Sequence, residues 1–168
     1  MKLTRTLPLA VLCFFLSLKS FSQSYTSAVQ YNDYLVSIND SLYQLGKQWG
    51  TKYNTVKISK SFDSLGLYRL KLDAYINKKK LELRSHKDFL GSSEFRDAMI
   101  AFLTFEAKMM REAFAPFEDL NSKSTPEEIQ AAVKKLSSIS ADENVQLARL
   151  NVAQLEYARK NNFTIQKN

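Results

Sequence analysis

The chain has 168 residues, with 24 Lys or Arg against 17 Asp or Glu, one histidine, one cysteine and a net charge of +7. One cysteine excludes an intrachain disulfide framework and a cysteine-based zinc site. A mild positive balance is by itself no nucleic-acid signature, and four glycines with three prolines favour long helices over a many-turned β fold.

Residues 1–22 read as a cleavable export segment. Lys2 and Arg5 form a basic start, Leu7 to Leu18 is nearly all apolar, and Ser20-Phe21-Ser22 places small residues two apart before a cut at Gln23. The apolar run is too short for a membrane-spanning helix, which needs roughly 20 residues. Cys13 lies inside that run, with Leu12 where a lipoprotein would carry a small residue. The expected mature protein is therefore periplasmic, extracellular or at the cell surface. It comprises residues 23–168 as one domain, free of cysteine, and removing Lys2, Arg5 and Lys19 takes the charge from +7 to +4. Export makes a nucleic-acid partner unexpected.

The first mature helix has the clearest period. Ala28, Tyr31, Leu35, Ile38, Leu42, Leu45 and Trp49 alternate at three and four residues, with Asn32, Asp33, Asn39 and Asp40 off the stripe. Gly50 is the expected stop. Gly46-x-x-x-Gly50 permits close helix approach, but its polar company favours the cap. Ile58, Phe62, Leu65, Leu72, Ile76 and Leu83 carry a second helix to Leu90, ended by Gly91 and with an open start among Ser59, Ser61 and Gly66.

Ser92 or Ser93 should cap a third helix with Phe95, Met99, Phe102, Met109, Ala113, Phe117 and Leu120 on one face, kinked or ended at Pro116. Thr125-Pro126-Glu127-Glu128 is a strong start for the fourth, combining an N-cap threonine, proline at the first helical position and glutamate at the third. Ser137 to Ser140 is a possible break, and the tail from Asn161 should fray. The expectation is an all-α, elongated, up-down-up-down four-helix bundle. No helix face stands out as apolar beyond what such a core would bury.

Candidate sites are sparse. Lys78, Lys79, Lys80, Arg84 and Lys87 form a patch suited to an anionic partner such as lipid headgroups or an acidic glycan, set against a plain solvated face. His86 is expected as an exposed partner of Glu82. A haem site through His86 and Met99, Met109 or Met110 has no spacing to support it, and the methionines fit better as gap-fillers. Tyr43 is the better exposed contact among the first helix's tyrosines. Carboxylates are scattered without a catalytic pair, and nucleophile, phosphate-loop and zinc motifs are missing from the sequence.

The export segment ending Ser20-Phe21-Ser22-Gln23 and the run from Ala28 to Val36 (AVQYNDYLV) resemble small secreted or surface helical proteins of Bacteroidetes-type bacteria. That resemblance implies export and a helical fold, and carries no activity. The leading expectation is a non-enzymatic protein without a cofactor or metal, binding or scaffolding a protein or envelope component. The alternative is a bundle holding lipid or haem among Phe95, Phe102, Phe105, Phe114 and Phe117.

Overall fold

The computed structural model describes residues 25–165, which are all-helical; the expected export segment lies outside the described residues. Four long helices make up the fold: α1 (Ala28–Ser59), α2 (Leu65–Ser85), α3 (Ser93–Met109) and α4 (Pro126–Lys160). A short 3-10 turn, Phe62–Ser64, joins α1 to α2. No helix among the described residues is long and apolar enough to cross a membrane.

Helix α1 does not stop at Gly50. Buried Trp49 and Val56 carry the stripe across it, and Trp49 packs on Phe114 and Phe117 with ring centroids 4.3 and 5.4 Å away. This burial outweighs the cost of a mid-helix glycine, about 1 kcal/mol. A Cβ at Gly46 or Gly50 would meet nothing within 4 Å, so neither glycine serves close approach or capping. Ile58 consequently belongs to the exposed last turn of α1 and not to α2.

Helix α2 ends at Ser85, short of the expected Leu90, because Asp88 organises the following turn. Its carboxylate accepts from the backbone N–H of Gly91 and of Ser93, at 3.0 and 2.8 Å, and from the Ser93 hydroxyl at 2.6 Å. Leu90 and Gly91 both adopt positive φ there. Ser92 stands at the N-cap of α3, as expected of Ser92 or Ser93, and its carbonyl accepts the Arg96 N–H, but its hydroxyl accepts from the Phe89 N–H and makes no capping bond to the helix. Near Pro116 the chain rewinds into a π turn (Met110–Phe114) and a 3-10 turn (Ala115–Asp119). The missing proline donor and the ring's clash with the carbonyl four residues back prevent a regular α-helix.

Helix α4 starts with the expected capping box: the Thr125 hydroxyl accepts from the Glu128 N–H and the Glu128 carboxylate accepts from the Thr125 N–H. It then runs unbroken through Ser137–Ser140. No glycine or proline interrupts it there, and Leu136, Ile139 and Leu147 pack on the core. The tail is not frayed at Asn161. Asn162 takes positive φ, its N–H reaches the Arg159 carbonyl, and the Phe163 N–H reaches that of Ala158. This is a Schellman stop, with its hydrophobic contact supplied by Phe163 on Tyr157, centroids 6.0 Å apart.

Helix α1 packs on α2, α2 on α3 and α3 on α4, whereas α1 and α4 touch at few points. Tyr34 to Glu82 and Tyr75 to the Ile38 carbonyl tie α1 to α2. Arg69 holds Glu118, and Gly66 leaves the room that this carboxylate occupies. The Thr125→Ala variant should lose about 1 kcal/mol, read as a lower urea midpoint with unchanged slope.

Candidate functional site

The sparse meeting of α1 and α4 has a cause in their sequences. The α1 row beside the core stripe is Val29, Asn32, Val36, Asn39, and α4 faces it with Leu147, Leu150, Asn151 and Gln154. Amides cannot be packed dry without hydrogen-bond partners. One pair satisfies itself: Gln154 Nε2 donates to Asn32 Oδ1 at 2.8 Å, while Asn32 Nδ2 donates to Asp33 Oδ1 at 3.1 Å. Asn32, off the expected stripe, is nevertheless buried. The side-chain amides of Asn39, half-buried, and Asn151, exposed, make no hydrogen bond to the protein.

Around these amides the seam opens into a cleft of about 580 Å³. Phe95 and Met99 of α3 line it, and Phe163, Thr164 and Ile165, returned by the Asn162 turn, also contribute. Its size falls in the range of small-molecule sites, ~300–1,000 Å³. Among the described residues the lining has no Lys, Arg or His and a single carboxylate, Asp33. Amides offer donors and acceptors without charge, so the cleft suits an uncharged ligand with hydroxyl or amide groups on one edge and apolar surface on another. Of the five phenylalanines considered for a core pocket, Phe95 alone lines this cleft. Phe102 and Phe117 are fully enclosed by core neighbours.

A second polar feature lies in the α3–α4 core. Glu106 occupies a core-facing position, is 4% exposed, and its Oε1 has no partner. Burial and the charge of Glu143 on α4 push its carboxyl up to about 8, and burial also raises Glu143. The structure thus brings together two carboxyl groups that the sequence leaves scattered. Glu106 sits where the apolar row from Phe102 to Met109 lacks its middle member, and that gap is the signal that marks it.

The basic residues divide. Lys78, Arg84 and Lys87 are exposed. Lys79 donates to Glu82 of its own helix at 3.0 Å and lies 5.0 Å from the ring centre of Tyr34 on α1. Lys80 is half-buried, its pKa lowered by burial and by Arg84 and Arg111. Of the five expected patch residues only Lys79 is engaged within the fold, and Arg111, from outside the expected set, adds its charge near Lys80.

His86 is not an exposed partner of Glu82. Its ring sits 5.5–6.1 Å from those of Tyr25, Tyr31 and Tyr34, and its Nδ1 is buried without a partner. Burial lowers its pKa against the opposing pull of Glu82. Glu82 instead accepts from the Tyr34 hydroxyl at 2.7 Å and from Lys79. Met109 and Met110 are core residues, Met109 sulfur taking a 3.8 Å contact from the Ser140 hydroxyl. No group of three or more His, Cys, Asp or Glu side chains is gathered for a metal among the described residues.

Comparison with protein families, curated proteins and solved structures finds no match to this chain.

Two titrations of opposite sense bound the stability. The lowered His86 pKa makes the unfolded chain bind more protons, so stability falls as pH drops below the ordinary value of 6.5. The raised Glu106 pKa makes the folded chain bind more, so stability present below 4.5 is lost as pH rises through about 8. Urea unfolding across this range should show both limbs. Glu106→Gln should remove most of the alkaline limb and leave the smaller part that buried Glu143 contributes; a limb unchanged by this substitution would place its origin elsewhere.

Proposed function

We propose that this chain is an exported, non-enzymatic binding protein: an up-down-up-down four-helix bundle that holds an uncharged polar ligand in the α1–α4 cleft, in the periplasm or at the cell surface. The observation that carries the reading is the cleft itself, with the unpartnered amides of Asn39 and Asn151 facing a partly apolar lining. Export rests on the basic start, the Leu7–Leu18 run and the Ser20–Ser22 ending, in keeping with the resemblance of residues 28–36 to secreted or surface helical proteins. The bundle topology is supported by the sequential packing of α1 on α2, α2 on α3 and α3 on α4. Residues 23–168 form the single domain in this reading, and a protein or envelope component supplies the ligand.

A panel of neutral oligosaccharides and short uncharged peptides tests the reading by NMR. A binder should shift the side-chain amide signals of Asn39 and Asn151, and Val36→Trp, which fills the cleft, should abolish the shift without lowering the melting temperature. Silence at both amides across the panel would remove the cleft as the site.

A second reading rests on the exposed cations Lys78, Arg84, Lys87 and Arg111, with Lys80, whose pKa is lowered by burial and then by Arg84 and Arg111. In this reading the surface of α2 and the following π turn contacts an anionic surface such as lipid headgroups or an acidic glycan. Binding to anionic vesicles should then weaken steeply with salt. Equal binding to neutral vesicles would eliminate the electrostatic contact.

A further inference from the structure

The outward face of α4 carries an apolar row that nothing in the fold covers. Ala141, Val145, Ala148, Val152 and Leu155 repeat at four, three, four and three residues, and all are exposed. Val145, Val152 and Leu155 are 50%, 61% and 58% exposed. At 3.6 residues per turn, this row lies roughly 180° from the core row of Ala132, Leu136, Ile139, Glu143, Leu150 and Tyr157. An a/d row on a solvent-facing side is the seam of a two-helix coiled-coil contact. This corrects the expectation that no helix face is apolar in excess.

We propose that this face is a self-association surface, on which α4 of a second copy packs antiparallel about a two-fold axis. Size and charge select one register. When Val145 faces Ala148 of the second copy, Ala141 faces Val152, and by symmetry each of these four layers sets an alanine against a valine. The same register brings Asp142 beside Arg149 of the other copy, twice, at the flanking positions where interhelical ion pairs form. Shifting the pairing by a heptad one way sets Asp142 against Glu156, and the other way sets Asp142 against itself. A parallel arrangement gives Arg149 only Asn144 as its flanking partner. Like charges at such positions oppose pairing, so electrostatics select this antiparallel register. Alanine in every layer lets the helices approach closely while valine fills the space across from it.

The face of α2 opposite its core is a weaker self-partner. Its exposed Leu67, Leu70 and Leu81 are interrupted by Asn77 and flanked by Lys71 and Lys78, which would meet their own kind.

Sedimentation of the full chain in a Cys13→Ser background tests the proposal. The protein should be a dimer. Val152→Glu should make it monomeric with unchanged circular dichroism, since this side chain takes no part in the core. Arg149→Asp should weaken the dimer at least tenfold, and adding Asp142→Arg should restore it. Mixing Val145→Cys with Ala148→Cys copies should give a disulfide between unlike copies. A monomer at every concentration to the millimolar range overturns the surface, as does an oligomer indifferent to Val152→Glu. A like-copy disulfide at Ala148→Cys in preference to the mixed one, or failure of the charge swap to restore the dimer, overturns the antiparallel register.

Discussion

The hydrogen bond from Gln154 to Asn32 governs how α1 and α4 meet, and much of the molecule's surface chemistry follows from it. An amide in an interhelical seam needs a partner, or water, for each polar atom it brings, and one missing bond costs roughly 1–3 kcal/mol. Asn32 and Gln154 satisfy one another at 2.8 Å, and Asp33 takes a further donor. Along the same seam Asn39 and Asn151 have no such match, so closing the helices there would strand their groups. The seam parts and leaves the cleft. The α3–α4 seam, rich in apolar side chains, closes.

Glu106 shows the other way a polar intrusion is accommodated. No opening forms for it; the carboxyl stays enclosed near Glu143, and holding a proton avoids the charge that low-dielectric surroundings would penalise. A neutral acid costs far less to bury than a carboxylate. The two intrusions thus have different consequences. The amides yield space that a ligand can enter, whereas the acid makes stability depend on pH. His86 does the same from the acidic side, because Tyr31 and Tyr34 of α1 and Tyr25 just before it pack around a ring that would otherwise be solvated.

Helix number, the α1 stripe and the α4 start are legible in the sequence because periodicity and a capping box are local signals. Boundaries at Gly50, Leu90 and Ser137 are not, since each depended on tertiary burial or on a side chain a few residues away. Trp49 and Val56 hold α1 together past a glycine, and Asp88 caps a turn whose serines look like the obvious caps. The cleft is partly legible in hindsight: the alternation Val29, Asn32, Val36, Asn39 is a second row at helical spacing, with short amides where a core would need bulk. What periodicity alone cannot supply is which helix that row faces. The basic patch fails for a related reason, because Lys79 has a partner on α1, 45 residues earlier at Tyr34, that no local pattern reveals.

Opposed faces of α4 let the proposed cleft and the proposed dimer coexist. On the wheel of α4, Leu150 and Gln154 point within roughly 40° of the core direction, and the Ala141–Leu155 row points about 180° away. Occupation of one face therefore leaves the other free. Asn151, at about 100°, is the border residue. It lines the cleft, and in the antiparallel register it also comes close to Asn144 of the second copy. An amide with two donors and two acceptor lone pairs can serve both neighbours. Pairing of α4 helices would thereby orient Asn151 before a ligand arrives, reducing the ordering cost that binding must meet. The coupling is confined to this one side chain, because the other amides of the cleft belong to α1 or lie nearer the core.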